Sequence, residues 1–573
     1  MNPLATGLTS TRQTRAARWG WRRHGLAISA LAAVFALWGH RMLFTPNSLI
    51  ASLPVRNNSQ DWPQVLWLLK WTGRTMYHGH FPILTNLLNA PYQANMLWSN
   101  PNYFWSLLVY PATRVNMVLG YDLLTGITMV SSAYVVVLLA RRWQCGYFSA
   151  VAAGVIFELS PFMIGQTLNN HLMFVGMAGG LVVLLTADEI AFHPGKWSPW
   201  RIVLTGALGF DIQLFTSEEI LVIFVMLLVA SFLFGIALFP SMARDSFKRI
   251  GLLRLLAGAL FICIPAVLLY RIQFYSPGAL TGPFVSSLLF TSNSASILFP
   301  SSLFLIAPTN LTSVFYALNL TPWEATIYWG VGLFVFIPWR YVCGVKRDKY
   351  LALVAVSATV LCLSPPWYLL SHFPILQDMV PTRISLIADL AISLLLGRWF
   401  AGLSLRVTQW RKWVVATVLV LLWLPTPATI QVLRVPPYFT NYSINNHPIT
   451  LVLPYATIGR YNQAMAWQAA ANFKFKMPEG YYSARSYLVS SQNTGPLATP
   501  LTSSVVDLQA GGATKPLASK AQACDYIRSH QVTSIVLGPT QREKALKNYI
   551  DSLLNTPPTY TDGVWLWGVE GCQ

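Results

Sequence analysis

The chain has 573 residues, 54% of them hydrophobic and only 10% charged, with 39 Lys and Arg against 20 Asp and Glu for a net charge of +19. An ordinary soluble domain is about 25% charged, so this composition excludes a water-soluble globule and makes lipid the natural solvent. Nucleic acid is not the partner of the basic excess: the cations fall in short links between apolar runs and in the tails, as topology determinants do.

Residues 1–24 form a basic tail carrying Arg12, Arg15, Arg18, Arg22 and Arg23 and no acid. The apolar run that opens at Gly25 reads either as a signal peptide behind a long basic leader or as an uncleaved first span. The span is preferred, because the run is long, continues to Trp38, Gly39, His40 and Arg41, and lacks a small-x-small cleavage site. Apolar runs near 20 residues predict about eleven spans in a polytopic α-helical membrane protein. They lie near 25–44, 119–140, 147–165, 172–191, 201–215, 219–239, 251–271, 323–342, 350–366, 383–403 and 413–431.

Every second connector is basic: Arg141-Arg142, Lys196 with Arg201, Arg244 with Lys248-Arg249, Lys346-Arg347 with Lys349, and Arg406 with Arg411-Lys412. All fall on the side of the N-tail, which the positive-inside rule makes cytoplasmic. The expected location is therefore the plasma (inner) membrane, multi-pass, with 45–118, 166–171, 216–218, 272–322, 367–382 and everything beyond 432 outside.

In the first outer loop, Trp62–Tyr77 is amphipathic and aromatic, with Lys70 and Arg74 one turn apart. A second apolar stretch runs from Tyr103 to Val118. Both suit helices lying at headgroup depth; the alternative for Tyr103–Val118 is a short true span, which would invert everything downstream. Residues 432–573 regain charge. Ala521–Leu537 reads as a helix leading into the strand at Ser534, and Val564–Val569 alternates as a closing strand, so a small extracytoplasmic α/β domain is expected. Cys524 and Cys572, the two cysteines expected outside, either form a disulfide in an oxidising compartment or stay as thiols.

The candidate site residues cluster on the outer face. Asp61 precedes Trp62-Pro63 as a helix N-cap does, and capping is compatible with chemistry. Glu218 and Glu219 are adjacent carboxylates at a membrane boundary, where repulsion invites a cation; the bland reading is an interfacial turn capped by Thr216 or Ser217. Asn169-Asn170-His171 fills another outer turn, where a lone His is more often solvated than functional. Arg383 opens a helix on the side that positive-inside bias disfavours. It suits a phosphate seat or a side chain snorkelling to headgroups, and Lys70 and Arg74 can meet a lipid phosphate in the same way. His78 and His80 lack the further ligands a metal needs. Glu158, Asp211 and Asp389 are intramembrane acids, either functional or paired between helices.

Together these features resemble the GT-C superfamily of membrane glycosyltransferases, especially bacterial polytopic proteins related to the dolichyl-phosphate-mannose and aminoarabinose transferases. The resemblance spans residues 25–431 and is carried by Asp61-Trp-Pro-Gln-Val-Leu-Trp, Ser160-Pro-Phe, Asn169-Asn-His, Ser217-Glu-Glu and Pro381-Thr-Arg. It implies transfer of a sugar from a polyprenyl-phosphate donor to an extracytoplasmic acceptor, with inversion. Asp61 would be the general base, Arg383 the residue steadying the leaving phosphate, and Lys70, Arg74, Glu218, Glu219, Asn170 and His171 substrate-binding. Several relatives carry two acids in the first loop, whereas Asp61 stands among amides. No cofactor is implied and no essential metal is expected, although Asp61, Glu218 and Glu219 can hold a divalent ion if they converge. Two rivals remain. A flippase for a lipid-linked glycan would place its functional residues at the midplane, and a cell-envelope scaffold would tolerate loss of Asp61.

Overall fold

Apolar runs that cannot be hydrated must satisfy their own backbone, and in lipid a helix does so within one segment. The computed structural model describes residues 20–51, 61–99, 101–192, 197–238, 252–277, 287–307, 327–373, 376–377, 379–403, 410–441, 448–456, 462–482, 499–512 and 516–572. The tail arginines up to Arg18, Asn57-Asn58-Ser59-Gln60, Lys196, Arg244, Lys248, Arg249 and Arg406 lie outside these residues. The helices used below are α1 (Trp21–Trp38), α2 (Trp62–Tyr77), α3 (Tyr103–Val115), α4 (Met117–Arg142), α5 (Tyr147–Glu158), α6 (Pro161–Leu168), α7 (Ala178–Phe192), α8 (Pro199–Leu214), α9 (Glu218–Leu238), α10 (Leu252–Tyr275), α11 (Gly330–Cys343), α12 (Lys346–Leu361), α13 (Ser385–Ala401) and α14 (Trp410–Leu421). Among the described residues, four helices are long and apolar enough to cross a membrane, or five if α5 and α6 count as one bent span.

The runs at 147–165, 323–342 and 413–431 depart from the sequence reading, the second being helical only from Gly330 among the described residues. The run at 147–165 breaks at Leu159-Ser160, and α5 and α6 meet at a 41° bend. Asp389 on α13 accepts a hydrogen bond from the Phe162 amide at 2.9 Å, satisfying a donor that the new helix start would leave bare. The run at 413–431 stops being helical at Leu421, ahead of Pro425 and Pro427, which lack the N–H a helix needs. Its end instead forms strand β2 (Ile430–Val432), antiparallel to β1 (Ser48–Ile50).

Helices approach closely where side chains are smallest. A Cβ on Gly397 of α13 would meet the Ala153 Cβ of α5 at 2.7 Å. Gly179 on α7 and Gly209 on α8 lie similarly close, each facing the other's carbonyl oxygen. Such contacts supply the van der Waals packing that holds helices together in lipid.

One end of the bundle gathers the basic connectors. Arg142 pairs with Glu189 at 2.5 Å, Trp143 Nε1 donates to Asp188 at 2.9 Å, and Trp197 lies between Arg142 and Arg201. Asp348 holds both Arg340 and Arg398, and Arg398 donates to the Trp143 carbonyl. The start of α1 is at this end too, with His24 2.6 Å from the Tyr134 hydroxyl.

At the other end, residues 448–572 build a four-stranded sheet. Its strands are β3 (Thr450–Leu453), β4 (Ser534–Leu537), β5 (Thr559–Thr561) and β6 (Val564–Gly568), in the order β3-β4-β6-β5. β3 and β4 are parallel and the other pairs antiparallel. Helices α15 (Gln463–Ala470), α16 (Pro500–Ala510), α17 (Lys520–Ser529) and α18 (Glu543–Leu554) accompany it, and a disulfide joins Cys524 to Cys572 across 4.7 Å between Cα atoms.

This segment corrects the reading of α2. The amphipathic helix forms as predicted, but it is covered by protein rather than by headgroups. Trp67 Nε1 donates to Gln468 Oε1 at 2.6 Å, and Gln64 donates to the Tyr481 carbonyl at 3.0 Å. Lys70 donates to the Ala469 carbonyl at 2.8 Å and Arg74 to that of Asn472 at 3.0 Å. Both cations thus sit at the C-terminal end of α15, where helix carbonyls lack partners and the dipole is negative. Each is engaged by a backbone carbonyl of this segment. Burial, and secondarily the charge of Arg74, lowers the Lys70 ammonium to about 8. α3 has 13 residues and reaches about 20 Å, short of the ~30 Å hydrocarbon core.

Candidate active site

Asp61 occupies the N-cap position of α2, but its side chain makes no capping hydrogen bond. The carboxylate turns away: Oδ2 lies 3.3 Å from His171 Nε2. On the far side of the imidazole, Nδ1 lies 2.9 Å from Gln166 Oε1. The ring meets Phe174 edge to face at 5.3 Å between centroids.

The turn that presents His171 is held from below. Asn170 adopts φ 66°, a left-handed conformation that Asn tolerates better than most side chains. Its Nδ2 donates to the Ile50 carbonyl at 3.0 Å and to the Tyr121 hydroxyl at 2.7 Å. Tyr121 donates in turn to Ile50, at 3.3 Å. The turn is therefore fastened to β1, whose chain leads toward Asp61. Asn170 is fully buried, with its Nδ2 engaged by Ile50 and Tyr121.

Arg383 reaches the same place from the start of α13. Its guanidinium carbon sits 3.9 Å from the centre of the Phe174 ring and the group is paired with Glu219. Glu219 also accepts from the Val380 amide at 3.0 Å, which fixes the pair to the backbone. The Phe174 ring thus contacts both the imidazole beside Asp61 and the guanidinium. Glu218 points elsewhere, hydrogen-bonded to Gln273. Asp61, Glu218 and Glu219 do not converge: no group of three His, Cys, Asp or Glu able to hold a metal occurs among the described residues.

A partly exposed carboxylate against an imidazole, with a cation on the neighbouring ring, can take a proton from a hydroxyl and steady an anionic leaving group. Gln166, Phe174 and Tyr121 escaped the sequence reading. The available signals were slight: Gln166 is a polar residue in an apolar run, and Phe174 lies one helical turn after His171.

The overall chain trace is similar to that of the arabinofuranosyltransferase AftD from Mycobacteria, with a TM-score of 0.58 at 14% identity. The two chains share a fold. That alignment covers 97% of this chain and 40% of AftD, so this chain spans well under half of that protein's length. Other similar structures are the archaeal oligosaccharyltransferase AglB from Archaeoglobus fulgidus and ArnT from Cupriavidus metallidurans. AglB, in complex with an inhibitory peptide and a dolichol-phosphate, aligns at 12% identity with a TM-score of 0.43 over 91% of this chain and 70% of its own. ArnT, in the apo state, aligns at 10% identity with a TM-score of 0.47 over 95% and 97%. No family model and no curated protein sequence matches the chain.

Proposed function

We propose that the protein transfers a sugar from a polyprenyl-phosphate carrier to an acceptor on the extracytoplasmic face, with inversion at the anomeric carbon. The observation that supports this reading is the run of contacts that links Asp61 through His171 and Phe174 to Arg383, at the end of the bundle opposite the basic connectors. In the reaction the acceptor oxygen attacks the anomeric carbon while Asp61 takes the hydroxyl proton. The bond to the phosphate oxygen breaks with its electron pair, and Arg383, oriented by Glu219, steadies the new charge. A lipid carrier keeps the donor in the membrane, so no nucleotide site is called for.

The disulfide at Cys524–Cys572 suits an oxidising compartment and supports an extracytoplasmic C-terminal segment. The flippase alternative loses one of its midplane candidates, because Asp389 is engaged in capping α6. The test is Asp61→Asn, which keeps size and removes the base. Sugar transfer from membrane lipid carriers to endogenous acceptors is expected to fall by about 100-fold or more. Transfer retained at the wild-type rate would end the assignment.

A further inference from the structure

Beside the pair formed by Glu219 and Arg383, four chain segments meet around a carboxylate that the reaction above leaves unused. Glu218 opens α9 and is half-buried. Its side chain is hydrogen-bonded to Gln273 near the end of α10. Gln273 is itself buried, and its backbone carbonyl accepts from Trp98 Nε1 at 3.3 Å. Tyr103, the first residue of α3, approaches from the first loop, where the Phe104 amide donates to the Phe215 carbonyl at 3.2 Å and ties α3 to the turn before α9. The Tyr103 ring stacks on Phe81 at 4.9 Å between centroids and meets Phe215 edge to face at 6.3 Å. Tyr103 is 5% exposed, yet its hydroxyl has no hydrogen-bond partner among the described residues. Glu218 lies within electrostatic reach of it. A phenylalanine would pack the same ring without desolvating a hydroxyl, so the hydroxyl awaits a partner from outside the chain. Phe81 is 37% exposed, which leaves the aromatic pair open at one edge.

These groups have the chemistry of a sugar subsite. A carboxylate accepts and a phenol both donates and accepts, so together they match adjacent hydroxyls of one ring, while the aromatic edge covers its C–H face. The position favours the donor. Glu219, the next residue, holds Arg383, and consecutive Cα atoms are about 3.8 Å apart. Resting on the transferase reading above, we propose that Glu218 and Tyr103 bind hydroxyls of the donor's sugar ring, with Gln273 as the positioning residue that orients the Glu218 carboxylate. The first two residues of α9 then divide the donor between them: Glu219 acts on the phosphate through Arg383, and Glu218 reads the sugar. No bond is made or broken at Glu218, so its contribution is to affinity and to the choice of sugar.

The experiment measures kcat and the KM of donor and acceptor on the purified full chain, using polyprenyl-phosphate sugars and acceptors extracted from its native membranes. Tyr103→Phe should raise donor KM about fivefold and Glu218→Gln about tenfold, with acceptor KM and kcat within about twofold. The double variant should lose less than the product of the two, since both side chains hold one ring. The melting temperature of Tyr103→Phe should not fall, because the change removes an unpartnered hydroxyl alone. Wild-type donor KM in Tyr103→Phe overturns the proposal, as does a rise in acceptor KM in place of donor KM, which would give the subsite to the acceptor. If Glu218→Gln does not fold, Tyr103→Phe decides. Asp61→Asn is assayed alongside. Activity retained there defeats the transferase reading, whereas activity lost there with wild-type donor KM in Tyr103→Phe defeats only the sugar-subsite proposal.

Discussion

Glu479 illustrates how one side chain can make the stability of a whole segment depend on pH. Its Oε1 accepts from the Val452 amide at 2.8 Å in the interior, and burial raises the carboxyl to about 8 from an ordinary 4.5. The folded state keeps a proton that the unfolded chain releases between those values. The stabilisation is thus complete below pH 4.5 and is lost as pH rises through 8. The melting temperature of the C-terminal segment should fall between pH 5 and pH 8.5, and Glu479→Gln should flatten that fall; an unchanged slope would assign the pH dependence to other groups. Glu479 drew no notice in the sequence because its burial depends on strands far apart in the chain. Asp61, His171 and Arg383 were legible, since polar residues at the edges of apolar runs stand out. Their partners were not: Gln166 and Phe174 are unremarkable in sequence and acquire a role only when the turn at His171 is folded beside Asp61 and Arg383.

At the scale of elements, hydropathy located the helices well and their neighbours poorly. Most apolar runs hold helix among the described residues, because lipid burial depends on local composition, but only four or five of those helices are long and apolar enough to cross a membrane. The break inside 147–165 has a local signal, Ser160 at the N-cap followed by Pro161, but its second cap comes from Asp389, more than two hundred residues away and invisible to hydropathy. The same limitation misdirected α2. Its amphipathic pattern announces an apolar partner without saying whether that partner is lipid or protein. A cation committed to α15 leads to a distinct expectation: Lys70→Met should leave the donor KM within about twofold while loosening the C-terminal segment. A severalfold rise in donor KM would instead return Lys70 to the substrate. Because folding lowers the Lys70 ammonium from 10.5 to about 8, its burial costs stability below pH 8, and that cost fades as pH rises toward 10.5.

The whole molecule divides into two chemically distinct ends. Arg142, Arg201, Arg340 and Arg398 gather with Asp188, Glu189 and Asp348 at one end. The Asp61 site and the C-terminal sheet occupy the other. Alternation of charge along the chain foretold this division, because topology signals sit in the connectors themselves. The packing of residues 462–482 onto the first loop was beyond such reasoning, since it depends on surface complementarity. Everything proposed for Asp61 requires that its end of the bundle lie across the membrane from the basic end. Cysteine labelling in intact cells tests this directly, with Cys145, Cys263, Cys343 and Cys362 replaced and a single cysteine placed at His80 or at Lys346, both exposed. A membrane-impermeant maleimide should modify His80→Cys at once and Lys346→Cys only after permeabilisation; the reverse order would place Asp61 in the cytosol and contradict the proposed reaction.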